Sequence, residues 1–246
     1  MLADIHCHLD FPDFEKDLDS VIERAEKAGV VSIVTAGLNN VTNAKALEIS
    51  KKYPAVKAAL GIYPEFAAQM GEEAVKQEIE FIRKQKPFAV SEVGLDATYP
   101  DMEKQKEVFK QMVSLAKDLK IPLIVHSRGA EKEVFDVLKE MNARKVVVHC
   151  FSGKLSLAKQ MEKEGYFFSI PAIVSYSSQF RELVKTISSS HLLTETDAPF
   201  LSAVKGERNE PASVKQTAAV IASIKGVSAE EMENMLFSNF QKLFMQ

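Results

Sequence analysis

Short apolar, β-branched runs alternate with longer stretches of helical period along the whole chain. Eight runs predict strands: Leu2–His6, Val31–Ala36, Val56–Leu60, Phe88–Glu92, Pro122–His126, Lys145–His149, Tyr166–Ile170 and His191–Glu195. Each is nearly unbroken apolar, as expected of parallel strands buried on both faces. Between them Val108, Met112, Leu115 and Leu119 recur at helical spacing, as do Val134, Leu138 and Met141. Ser228 and Glu231 form a capping-box pattern ahead of Met232, Met235 and Leu236, which predicts a final helix. Strands alternating with helices imply βαβ units, and eight of them can close into a (β/α)8 TIM barrel. Such a barrel needs about 250 residues. The 246 residues present, 1–246, therefore read as a single domain, without internal repeat or low-complexity linker. Ser202–Pro211 is the most loop-like stretch and follows strand eight, on the face where barrel enzymes place their chemistry.

Composition narrows the classes. Hydrophobic residues make up 46% and charged residues 26%, enough for a sizeable core under an ordinary polar surface. The net charge of −3 argues against a polycationic coat for gripping a nucleic acid backbone. It leaves a nuclease open, because bound metal cations supply local positive charge. The two cysteines, Cys7 and Cys150, are too few for a secreted disulfide scaffold. Each directly follows a histidine, and strand alternation turns it to the opposite side, so both read as plain buried thiols. The N-terminus MLADIHCHLD has no secretory pattern, and no apolar run spans a membrane. The expected location is cytoplasmic, with no obligate protein partner.

The histidines change the picture. Four of the five fall at the C-terminal ends of predicted strands: His6 and His8 on the first, His126 on the fifth, His149 on the sixth. Glu92 closes the fourth and Asp197 lies just past the eighth. His6 and His8, two apart, share a strand face that in a barrel can be the inward one. Buried together without a cation, these six groups would carry severe desolvation and repulsion costs. A mixed nitrogen and oxygen set suits divalent Mg²⁺, Mn²⁺, Fe²⁺ or Zn²⁺. Six ligands exceed what one tetrahedral ion takes, which suggests two metals about 3.5–4 Å apart sharing a carboxylate, with Glu92 the natural bridge. His191, at the other end of strand eight, reads as structural.

Other residues near the expected mouth carry weaker signals. Arg128 and Arg208 suit bidentate pairing with phosphate, or ordinary surface ion pairs. Ser152 and Gly153 offer a hydroxyl and amides to an anion, or simply form a turn. Asp4 and Glu195 share the strand faces of His6 and Asp197 and can orient ligands, or pack in the barrel interior.

The segments DIHCHLD (4–10), SEVGLD (91–96), VHSR (125–128), HCFSG (149–153), ETDAP (195–199) and RNEP (208–211) resemble the motifs of the TatD family of metal-dependent deoxyribonucleases. The resemblance extends to the terminal NFQKLF (239–244) and so covers nearly the whole chain. It implies an amidohydrolase-like barrel with a first metal on His6, His8, Glu92 and Asp197 and a second on Glu92, His126 and His149. It further implies that DNA is the substrate and phosphodiester hydrolysis the reaction. Water activated by the two metals would attack phosphorus, with Asp197 as general base. There is one departure: the family usually shows Gly-X-His-Pro after strand three, and this chain has Gly61, Ile62, Tyr63 and Pro64. A histidine there would touch substrate phosphate. Tyr63 keeps a hydroxyl donor but, with an ordinary pKa near 10, cannot switch charge at neutral pH. Fold and ligands would also permit hydrolysis of another ester, an amide or an aminoacyl linkage. A non-catalytic metal-binding barrel is the lesser alternative, because a structural site has no need of six ligands and open positions.

Overall fold

A computed structural model describes all 246 residues. The strands are β1 (Leu2–Cys7), β2 (Val30–Ala36), β3 (Val56–Leu60), β4 (Ala89–Gly94), β5 (Leu123–His126), β6 (Val146–Val148), β7 (Phe167–Ile170) and β8 (Leu192–Thr194). They form one all-parallel sheet in chain order, with helices in the crossovers. This is the (β/α)8 barrel that the alternation predicts. Its seam between β8 and β1 closes just past the end of β8, where Asp197 N donates to His6 O at 2.9 Å and His8 N to Ala198 O at 2.8 Å. Side chains complete it lower down. Thr194 Oγ1 donates to Ala3 O, and the Asp4 carboxylate accepts from Thr196 N and Oγ1.

Two apolar layers result. One lies between sheet and helices and includes Val108, Met112 and Leu115 from helix Met102–Leu119. The other contains a side chain from every strand, among them Ile5, Val34, Ala59, Ile124 and Leu193, and only the barrel lumen touches all eight. Phe240, Leu243 and Phe244 of the terminal helix Ala229–Phe244 join this inner cluster, and Phe244 stacks on Phe88 just before β4. They plug the N-terminal end. Ser228 caps that helix, its Oγ accepting from Glu231 N at 3.2 Å. The complete reciprocal box sits elsewhere, at Asn39 and Thr42.

The C-terminal end is less regular. Register shifts interrupt β1 between Asp4 and Cys7 and β4 between Val90 and Val93, where His6 and Glu92 sit. Such bulges re-aim side chains next to sites. They also correct one expectation: Asp4 does not share the face of His6 but is spent on the seam. The sixth and eighth strands end earlier than their apolar runs suggest, because Cys150 (φ 47°) and Asp197 (φ 53°) turn left-handed and leave the ladder. Gly94 lets β5 approach, since a Cβ there would collide with the His126 carbonyl.

Candidate metal centre

These irregularities bring His6, His8, Glu92, His126, His149 and Asp197 into one cluster at the C-terminal mouth, all of them buried except the half-buried Asp197. Glu92 lies at its middle. Its Oε2 stands 3.5 Å from both His6 Nε2 and His8 Nε2, and its Oε1 2.9 Å from His126 Nδ1 and 3.0 Å from His149 Nε2. Asp197 Oδ1 faces the first pair, 3.5 Å from His6 Nε2 and 3.4 Å from His8 Nε2.

Each imidazole is aimed by a group behind it. His8 Nδ1 faces Ala36 O at 3.1 Å, His6 Nδ1 faces Ser91 Oγ at 3.4 Å, and His126 Nε2 faces Asp96 Oδ2 at 2.8 Å. His149 Nδ1 lies 3.4 Å from Glu195 Oε2, which also accepts from Ser169 Oγ. The opposite nitrogen of every ring is thereby left pointing at Glu92, the arrangement that fixes ring orientation around metals. Asp96 and Ser91 escaped the sequence reading. Asp96 lies two residues past the end of β4, and its place in the SEVGLD segment is the signal that could have found it.

A divalent cation fits this donor set. His6 Nε2 is buried and has no hydrogen-bond partner, and an orphaned buried nitrogen is costly. The four separations of 3.4–3.5 Å among His6, His8, Glu92 and Asp197 are long for hydrogen bonds. They match the roughly 3.4 Å between ligands that each lie about 2.1 Å from a tetrahedral ion. Without a cation, the charges press on one another. Burial pushes the Glu92 carboxyl up, but the surrounding His149, His126 and His6 override it and hold it well below the usual carboxylate range. Burial likewise raises Asp197, and His6 and His8 outweigh it. For His6, His126 and His149 burial favours the neutral ring, yet the facing carboxylates keep the proton on more tightly than usual.

A cavity of about 560 Å³ opens above the cluster. Tyr63, Arg128 and Ser152 line it, together with Phe11, Tyr99 and Phe200. Arg128 is exposed and forms no ion pair, whereas the Ser152 hydroxyl donates to Glu131 at 3.1 Å. Tyr63 Oη donates to Asp96 Oδ2 at 3.1 Å. Arg208 does not line the cavity. It makes two hydrogen bonds to the Asp17 carboxylate, at 2.8 and 2.7 Å, with its guanidinium over Phe14. Free of substrate, that guanidinium is already spent. His191 pairs with Ser190, far from the cluster.

A parallel barrel with a buried histidine–carboxylate cluster at its C-terminal mouth defines a metal-dependent hydrolase. The particular group follows from comparison with known proteins, where residues 3–245 match the TatD related DNase family. The chain is 37% identical to an uncharacterised metal-dependent hydrolase of Methanocaldococcus jannaschii, over 98% of this chain and 96% of that one. It is 36% identical to the human deoxyribonuclease TATDN3, over 99% of this chain and 94% of the relative. The crystal structure of YjjV, a TatD homolog of Escherichia coli K12, superposes with a TM-score of 0.91 at 30% identity, covering 100% of this chain and 98% of that one. The chain belongs to the TatD family of metal-dependent hydrolases. No helix is long and apolar enough to cross a membrane.

Proposed function

We propose that this enzyme hydrolyses phosphodiester bonds of DNA with two divalent cations, Mg²⁺, Mn²⁺ or Zn²⁺. The observation that carries the reading is Glu92, each of whose oxygens faces a separate histidine pair. His6, His8 and Asp197 would complete one metal site around Oε2, and His126 and His149 the other around Oε1. Bound there, divalent cations would supply a water of lowered pKa, about 7, and positive charge for the attacked phosphate. Asp197 is the general base: its Oδ1 is turned to the imidazoles, and its second oxygen makes no hydrogen bond at the cavity floor. Arg128, the one arginine or lysine of the lining, takes a non-bridging phosphate oxygen. The name of the human relative supports DNA as the substrate.

The test is hydrolysis of single- and double-stranded oligonucleotides beside a panel of carboxylic esters and amides, with the metal removed and then restored. Metal-dependent cleavage of DNA is expected. Turnover confined to the esters or amides would overturn the substrate assignment and leave the metal centre standing.

A further inference from the structure

Part of the cavity wall is aromatic and supplies no ligand to the cluster. Phe11 stacks on the His8 ring, with centroids 5.2 Å apart and planes at 29°, and meets Phe200 edge to face at 5.6 Å and 85°. Phe200 lines the cavity and yet remains 51% exposed. Its exposed face offers apolar surface to an occupant of the cavity, beside the charged ligands. The two perpendicular rings form a corner, in which a flat ring would lie face-on to one and edge-on to the other, both favoured aromatic arrangements. Arg208 on Asp17, and Arg24 on Glu210 at 2.7–3.0 Å, tie together the two segments that carry Phe200 and Phe11. The corner is therefore braced from outside.

We propose that the Phe11–Phe200 corner is a stacking subsite for the unpaired nucleobase of a nucleotide whose phosphate lies over the metal ligands. This rests on the nucleotide reading above and adds recognition of the base to that of the phosphate. Charge complementarity favours the occupant. One cavity holds an unpaired arginine for the phosphate and an unpartnered aromatic corner for the base, and both border the same ligand cluster. Size favours it as well, since about 560 Å³ accommodates a ligand of nucleotide size but no duplex. A base inside a duplex has both faces covered by its neighbours. Only a terminal or extruded base presents a free face to Phe200.

Titration calorimetry on the Mn²⁺-loaded protein with dAMP and with 2-deoxyribose 5-phosphate tests the proposal, since the two ligands share sugar and phosphate and differ in the base. In the wild type dAMP is expected to bind at least about fivefold more tightly. Phe200→Ala should abolish most of that ratio, and Phe200→Tyr should keep it. The exposed Phe200 is chosen because truncating Phe11 would disturb the His8 ring. Equal binding of the two ligands, or a ratio that survives Phe200→Ala, would overturn the stacking subsite while leaving DNA hydrolysis intact. Binding of neither ligand, joined to an absence of oligonucleotide cleavage, would overturn the nucleotide reading and this inference with it.

Discussion

The two ends of the barrel solve opposite problems with the same eight strands. At the N-terminal end each strand sends an apolar side chain inward, and Phe240, Leu243 and Phe244 close the lumen. At the C-terminal end six ionisable side chains fill the same cross-section. The lower end gains from burying apolar surface. The upper end pays a desolvation cost that only a bound cation or shared protons offset. Stability and chemistry are thus divided along the barrel axis, and substitutions at one end should leave the other nearly untouched.

The largest effect is expected at the centre of the upper end. Glu92→Gln keeps the shape but removes the charge that faces both histidine pairs. Loss of an outer partner to a metal ligand typically costs 10–100-fold, so loss of the shared carboxylate should lower turnover by more than about 10²-fold. Metal analysis should show occupancy falling at both positions. Wild-type metal content and turnover would end the bridging assignment. At the lower end, Phe240→Ala should cost about 3–5 kcal/mol of folding stability, read by urea unfolding. Metal content and activity per folded molecule should hold. A loss of metal in that variant would break the division of labour between the two ends.

How much of this was legible in the sequence also differs between the ends. All eight strands were readable, because parallel strands buried on both faces leave apolar runs. The final helix was readable as well, from the capping-box pattern at Ser228 and Glu231. At the upper end the histidines stood out by position, but the outlines of β6 and β8 did not. Left-handed turns at Cys150 and Asp197 end those strands early, and an apolar run does not encode them. Arg208 sits near the mouth in sequence, yet Asp17, 191 residues away, comes alongside and claims its guanidinium. The aromatic corner was invisible for a similar reason, since Phe11 and Phe200 meet only across the barrel seam.

Protons sharpen the comparison next. In the metal-free protein the raised His6, His126 and His149 stabilise the fold below the ordinary histidine pKa of about 6.5, and this contribution fades as pH rises through their folded values. The lowered Glu92 and Asp197 contribute above about pH 4, a gain lost as pH falls through their folded values. The metal-free protein should therefore be most stable between roughly pH 4 and 6.5. Cations must displace those protons, so Mn²⁺ affinity should rise from pH 6 to pH 8. Calorimetry in two buffers of different ionisation enthalpy should show proton release. A pH-independent Kd without proton release would mean that the ligands are already neutral or are not the ligands.

The smallest effect is expected at Tyr63, where the chain carries a phenol in place of the histidine that its family usually shows. Burial, with Glu92 and Asp96 nearby, raises this phenol above its ordinary range, so it stays protonated and only donates. Its acceptor is Asp96, whose same oxygen holds His126 Nε2 at 2.8 Å. The hydroxyl therefore steadies the group that aims the His126 ring. A direct hold on substrate phosphate, the role that the family pattern implies, would make it independent of Asp96. A double-mutant cycle separates the two. Tyr63→Phe alone should lower kcat/KM by no more than about tenfold, the upper end of what a typical hydrogen bond contributes, about 1.5 kcal/mol, and should leave the shape of the pH profile unchanged. Asp96→Asn should cost more, within the 10–100-fold expected for the partner of a metal-ligating imidazole. If Tyr63 acts through Asp96, adding Tyr63→Phe to Asp96→Asn should cost nothing further. If the full Tyr63→Phe loss persists in the Asp96→Asn background, the hydroxyl meets the substrate directly. In that case Tyr63→His should put a titration near pH 6.5 into the profile.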